Sequence, residues 1–241
     1  ANPKTVVVLE TNGPVKMPWL ARVDAVLQAW YPGARGGEAI ARLLFGEVAP
    51  SGRLPVSWPR DESQLPRPMI AGAGFRSKEA PAQEIDYREG ANVGYKWFAA
   101  RGLQPLFPFG YGLAYTRFAY GKPHAVVEND RLRVYFDVSN VGDREGSDVP
   151  QVYLGLPADS DTPLRLIGWS KVALKPGETR RIGIEADPRL LARFDPVSRH
   201  WRIDGGRYRV MIGASAADAR LSVEIELGAQ ELRNGAARRT E

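Results

Sequence analysis

YPGARGGEAIARLLFGEVAPSGRLPVSWP, residues 31–59, holds a helix signal, a stop and a strand signal in that order. From Gly37 the run GEAIARLLFG places Ile40, Leu43 and Leu44 on one face at helical period, and Gly46 then supplies a left-handed helix stop. The preceding Gly33-Ala34-Arg35-Gly36-Gly37 reads as a tight turn, because it has neither dinucleotide-fold spacing nor the Lys-Ser/Thr of a phosphate loop. Downstream, Ser51-Gly52 turns the chain into LPVSW, a strand candidate. Upstream, residues 27–30 supply a short strand, and Trp19, Leu20, Val23, Val26 and Leu27 recur at helical spacing. Val6-Val7-Val8-Leu9, bounded by Asn2-Pro3 and Asn12-Gly13-Pro14, has the pattern of a strand buried on both faces of a parallel sheet. Strand, helix, strand, helix, strand predicts an α/β layer with a parallel sheet. A layer this small leaves its buried strand without covered neighbours, and each unpaired buried backbone group costs ~2 kcal/mol or more. More protein is therefore expected to complete it, with Ala1 falling where such a domain is already half built.

Residues 60–90 are rich in Pro, Arg, Ser and Ala without a sustained period and read as a long surface excursion. Order returns over residues 93–98 and in the aromatic cluster at 107–115. From about His124 the texture changes to short alternating runs separated by turns: residues 132–138, 149–154, 181–184, 208–212 and 221–227, with Asn140-Val141-Gly142-Asp143, Lys175-Pro176-Gly177-Glu178 and Gly205-Gly206 between. About seven strands over ~100 residues is the pattern of an immunoglobulin- or fibronectin III-like sandwich. The expected organisation is a partial α/β sandwich domain over 1–122, an all-β sandwich over 123–232 and a flexible tail over 233–241.

Composition narrows the function classes. The chain has 241 residues, 44% hydrophobic and 25% charged, enough for two cores at ~100–200 residues each. Its net charge of +5 comes from Arg scattered among Asp and Glu, which argues against a nucleic-acid face, since that needs a concentrated basic stripe. Cysteine is absent, so disulfides and thiolate metal sites are excluded. No apolar run approaches the ~20 residues of a membrane span. His124 and His200 lie far apart in sequence without acidic companions at ligand spacing, and no metal or other cofactor is expected. Ser51 and Ser57 lack a nucleophile-elbow pattern.

Several ordered blocks together resemble glycoside hydrolase family 3, the β-glucosidase family: NPKTVVVLETNGPV at 2–15, GGEAIARLLFGEVAPSGRLPVSWP at 36–59, EGANVGYKWF at 89–98 and PFGYGLAYTRF at 108–118. VSNVGDREGSDVPQVYLGLP at 138–157 and LKPGETRRIGIEAD at 174–187 resemble the fibronectin-like domain that follows in many members. The resemblance implies a retaining β-glycosidase with an Asp nucleophile on an N-terminal barrel and an acid/base Glu ahead of the segment resembling NPKTVVVLETNGPV. Neither position has a counterpart here, so no catalytic residue is expected in this chain. The implied partners are a β-glucoside or oligosaccharide and the enzyme's own N-terminal barrel part. A homodimer stays open, and a periplasmic or secreted location is what the family suggests.

Four residues are substrate-binding candidates. Trp30 and Tyr31, at a strand end, offer rings on which a sugar face can stack; Tyr87 and Glu89 lie in EIDYREG, and their alternative reading is a rim contact to a sugar at a domain junction. The ordinary readings weigh against them: most of Trp58, Tyr95, Trp97, Phe107, Phe109 and Tyr111 are expected in the core, and Glu84, Asp86 and Glu89 read as a solvated loop. Glu10, at the carboxyl end of a parallel strand, reads first as a strand-end cap or Arg partner. The alternative functions are a non-catalytic carbohydrate-binding or subunit-assembly module, and a free-standing enzyme using these carboxylates.

Overall fold

The computed structural model describes residues 2, 4–68, 86–156 and 163–232. The chain opens with strand β1 (Val6–Leu9), a 3-10 turn at Leu20–Arg22, β2 (Ala25–Gln28) and helix α1 (Gly36–Leu44). β1 and β2 pair in parallel, Val6 opposite Ala25 and Leu9 opposite Gln28.

Four expectations for this layer need correction. The helix read around residues 19–27 is only the 3-10 turn, because Val23 is already extended and Asp24 N–H donates to Thr5 O at 2.9 Å, drawing the chain into the sheet early. The second strand therefore ends at Gln28 instead of spanning 27–30. LPVSW forms no strand: Pro55 has no N–H to give a ladder, and the segment meets the aromatic run only at its two ends, where Leu54 N–H donates to Tyr111 O at 2.9 Å and Leu54 O accepts from Gly110 N–H at 2.8 Å, and Trp58 N–H donates to Phe107 O at 2.7 Å and Trp58 O accepts from Leu106 N–H at 2.8 Å. With two strands and one helix, β1 is only half-buried along Val7, Val8 and Leu9, not buried on both faces. α1 runs as expected to Gly46 at φ +76°, yet Leu44 and the following Phe45 are exposed while Ile40 and Leu43 are half-buried.

After a second 3-10 turn at Glu62–Gln64 comes α2 (Tyr95–Ala100), and then the β-rich part. Its elements are β3 (Phe118–Glu128), β4 (Arg131–Asn140), β5 (Gly146–Asp148), β6 (Gln151–Gly155), β7 (Leu164–Trp169), β8 (Val172–Leu174), β9 (Thr179–Glu185), a one-turn helix α3 (Pro188–Leu191), β10 (Arg193–Asp195), β11 (His200–Ile203), β12 (Gly206–Ser215), β13 (Asp218–Leu227) and β14 (Gln230–Leu232). Two antiparallel sheets, β13-β12-β6-β7 and β3-β4-β9, make the sandwich, seven strands in all, with β5-β8 and β10-β11-β14 as smaller additions. β3 begins at Phe118, ahead of the texture change at His124.

Alternation sets the core. Along β4, Leu132, Val134, Phe136 and Val138 are buried while the residues between them are half-buried, the two-residue period of a strand with one face inward. They meet Ile182 and Ile184 of β9, Val152 and Leu154 of β6, and Val210 and Ile212 of β12. Asn140, buried at the end of β4, is fully used: Nδ2 donates to Arg144 O at 2.7 Å and Leu174 O at 3.0 Å, and Oδ1 accepts from Thr116 Oγ1 at 2.6 Å.

The PFGYGLAYT segment joins the two parts. Ala216 N–H donates to Phe109 O at 2.9 Å, and the buried Gln151 Nε2 donates to Gly110 O at 3.2 Å and Ala214 O at 3.0 Å. Gly110 sits at φ +84°, and a Cβ there would overlap the Gln151 carboxamide, so only glycine fits the approach. Tyr115 Oη donates to Leu43 O at 2.6 Å, tying the end of α1 to the same segment.

Candidate functional site

The sequence candidates fall into two places. Trp30 and Tyr31 follow β2 at the carboxyl end of the parallel pair, where Ala29 N–H donates to Leu9 O at 2.8 Å and Gln28 Nε2 to Thr11 O at 3.1 Å. That end is where open α/β sheets hold ligands. Trp30 adopts φ +56°, left-handed backbone that a bulky residue takes only at a cost of about 1–2 kcal/mol. Tyr31 projects into solvent at 75% exposure, and Glu10 is exposed just beyond β1.

Tyr87 and Glu89 lie elsewhere, ahead of α2. Glu89 is buried, and Arg67 Nη1 donates to both of its carboxylate oxygens at 2.6 and 2.5 Å. The same guanidinium lies 4.6 Å from the centroid of the exposed Tyr87 ring, so Arg67 stacks on one and pairs with the other. Beside Glu89 opens a cleft of about 430 Å3, walled by Asn92, Trp97 and Arg101, with the Arg101 guanidinium 4.7 Å over Trp97 and Trp97 Nε1 donating to Gln64 O at 2.8 Å. Asp86 is paired with Arg88 at 2.6 Å on the exposed rim, and Glu84 lies outside the described residues.

This geometry limits the chemistry. The hydrogen bonds from Arg67 hold the Glu89 carboxyl below the usual carboxylate range, so Glu89 is ionised at neutral pH and can accept hydrogen bonds but not protonate a leaving oxygen. Retaining glycosidases need two carboxyls ~5–5.5 Å apart, one attacking and one donating a proton. Glu89, locked to Arg67, fits neither role. Because its folded pKa is depressed, the pair's stabilisation is complete above the ordinary value of ~4.3 and is lost as pH falls through the lower folded value. Arg67→Ala should therefore lower the urea midpoint at pH 7, and the gap from the unchanged protein should shrink below about pH 4. A gap of constant size across that range would show that the charge pair contributes nothing.

Sequence reasoning missed Arg67, a basic residue in a proline-rich loop whose only signal is that a buried carboxylate needs a cation. It also missed the interdomain clamp. Arg53 of the SGRLP turn, largely buried, pairs with Asp148 of β5 and donates to Gly112 O. Asp148 also accepts from Tyr120 Oη at 2.7 Å and Val149 N–H at 2.8 Å. Burial and then the Asp148 charge push the Tyr120 phenol far above its ordinary value, keeping it a neutral donor. The aromatics expected inside divide: Trp58 is buried, with Nε1 donating to Val15 O at 3.0 Å, and Tyr95 is half-buried, 5.0 Å from Phe109 and 5.9 Å from Tyr153.

A small parallel α/β layer clamped through a glycine-rich aromatic segment to a seven-stranded sandwich defines a two-part class of chain. The model of the glycosyl hydrolase family 3 C-terminal domain matches residues 1–115, and that of the fibronectin type III-like domain matches 148–216. A beta-glucosidase of Rhizobium radiobacter is 44% identical across 94% of this chain, which covers 28% of that protein. A beta-glucosidase from Streptomyces venezuelae, solved in complex with D-glucose, superposes with a TM-score of 0.82 at 38% identity, over 94% of this chain and 29% of that one. Beta-glucosidase 3B from Thermotoga neapolitana superposes with a TM-score of 0.85 at 33% identity, over 96% of this chain and 32% of that one. The chain belongs to glycoside hydrolase family 3 and corresponds to the C-terminal portion of its members. It spans less than a third of the length of these relatives.

Proposed function

We propose that this chain is the C-terminal segment of a retaining β-glucosidase that hydrolyses terminal non-reducing β-D-glucosyl residues. On this reading the nucleophile Asp belongs to the N-terminal barrel and the acid/base Glu lies ahead of the segment NPKTVVVLETNGPV, and this chain supplies scaffold and part of the substrate cleft. The observation that carries it is identity of 44% across nearly the whole chain to a protein named beta-glucosidase, of which the chain covers only 28%. The pairing of Glu89 with Arg67 supports the same division of labour, since it leaves this carboxylate unfit for proton donation. Trp30, Tyr31, Tyr87 and Glu89 are proposed as substrate contacts: Trp30 holds a strained backbone at a ligand-prone sheet end, and Glu89 offers an ionised acceptor beside an open cleft.

The test is turnover of an aryl β-D-glucoside. The complete protein should hydrolyse it and the 241-residue chain alone should not. Glu89→Gln in the complete protein should raise KM while kcat stays within a few-fold, because a ground-state acceptor contributes to binding and not to proton transfer. An isolated chain that turns over the glucoside, or a Glu89→Gln protein whose kcat falls by about 1,000-fold, would overturn the proposal.

A further inference from the structure

The β10–β11 hairpin carries an aromatic pair that neither the core nor the candidate cleft uses. Phe194 and Trp201 face each other across the antiparallel strands, with ring centroids 5.5 Å apart and planes tilted by 59°. They remain 47% and 43% exposed, and Val197 in the connecting turn is 91% exposed. Leu232 of β14 continues the row beside Trp201. Two residues beyond Trp201 on the same face, Ile203 is buried in the sandwich core, so the rings extend an inward-facing row past the core's edge.

Charge and area together select the occupant. The charges on the hairpin and on β14 balance, Arg193, Arg199 and Arg202 against Asp195, Asp204 and Glu231: Arg193 pairs with Asp204, Arg202 with Asp195 at 3.3 Å and Asp204 at 3.1 Å, and Glu231 lies 2.9 Å from His200 Nδ1. A compensated surround gives an ionic ligand no net attraction. Two half-exposed rings of ~150–250 Å2 each and one valine also present far less than the ~800 Å2 that each side of a stable protein interface buries. What fits is a small, neutral molecule with one flat apolar face and a polar perimeter. A pyranose ring has that form, with axial C–H bonds on its face and hydroxyls around its edge.

We propose that Phe194 and Trp201 form a platform that binds a pyranose unit of a β-glucan or β-oligosaccharide. The choice of β-glucan as the probe rests on the function proposed above; the stacking geometry does not. By holding a chain on the sandwich, the platform raises the local concentration of further sugar units.

Native electrophoresis of the complete protein, in gels with and without laminarin or barley β-glucan, tests this directly. The unchanged protein should be retarded by glucan. Trp201→Ala should weaken the retardation constant about tenfold, in line with truncation of a binding aromatic. Trp201→Phe should keep most of it, and Phe194→Leu, which retains apolar bulk without the ring, should lose several-fold. Turnover of a monomeric aryl glucoside should be unchanged in all three. No retardation of the unchanged protein, or equal retardation of Trp201→Ala, would overturn the platform. Should Trp201→Ala fail to fold, unaltered retardation of Phe194→Leu overturns it equally. Retardation is read without turnover, so a protein held through these rings that cleaves no aryl β-glucoside would sink the hydrolase reading and leave the platform standing.

Discussion

Asp148→Ala is expected to lower the unfolding free energy by about 3–5 kcal/mol, the cost of leaving a buried charge without its partner. Asp148 is buried and serves three donors at once: the Arg53 guanidinium, the Tyr120 hydroxyl at 2.7 Å and the Val149 N–H at 2.8 Å. Its loss strands Arg53, whose side chain keeps 13% exposure and whose Nε already has no partner. Because Arg53 belongs to the segment after α1 and Asp148 to β5, the damage falls on the contact between the two parts. Urea unfolding should accordingly separate from one transition into two. A double change, Arg53→Met with Asp148→Leu, should cost less than Asp148→Ala alone, since replacing both members of a buried pair by apolar groups of similar size removes the uncompensated charge. A single sharp transition at an unchanged midpoint in Asp148→Ala would show that this clamp is not what couples the parts.

The sandwich was legible because its information is local. Residues 132–138 alternate, and a two-residue period with β-branched and aromatic side chains has one physical reading, a strand with one face inward. β4 follows it from Arg131 to Asn140. The Lys175-Pro176-Gly177-Glu178 turn is legible for a similar reason: Gly177 takes φ +76°, which its lack of a Cβ allows. The α/β part was legible only where a helix stop or a β-branched run marked it, as in α1 and β1. Residues 19–27 have helical spacing, but Asp24 bonding to Thr5 O pulls the chain into the sheet, and no periodicity reveals that tertiary bond. LPVSW has strand propensity and no ladder, since Pro55 interrupts it and the bonds that Leu54 and Trp58 exchange with residues 106–111 settle its path. Of the site, Glu89 was visible as a carboxylate and its partner was not, because Arg67 reaches it across 22 residues of chain that carry no pattern. The β10-β11-β14 sheet escaped notice for want of length: three or four residues cannot display a period.

Phe136→Ala should destabilise the protein by about 3–5 kcal/mol, and Tyr135→Ala, one residue earlier on the same strand, by no more than about 1 kcal/mol. Phe136 is fully buried, lies opposite Ile182 of β9 and belongs to the cluster with Val152, Leu154, Val210 and Ile212 of the other sheet. Removing its ring leaves a cavity between two sheets whose hydrogen-bonded ladders limit collapse, so the transfer loss and the cavity cost add. Tyr135 faces the other way, is half-buried, and covers Gly183 across the strand pair beside His124, whose ring centroid is 6.4 Å away. Its truncation costs only that cross-strand contact. The contrast tests register more sharply than either value alone. A slip of β4 by one residue would turn Tyr135 inward and Phe136 outward, reversing the order of the two effects in urea denaturation. An equal loss from both substitutions would mean that β4 is covered on both faces, as a strand between two further layers would be, and would contradict the two-sheet sandwich.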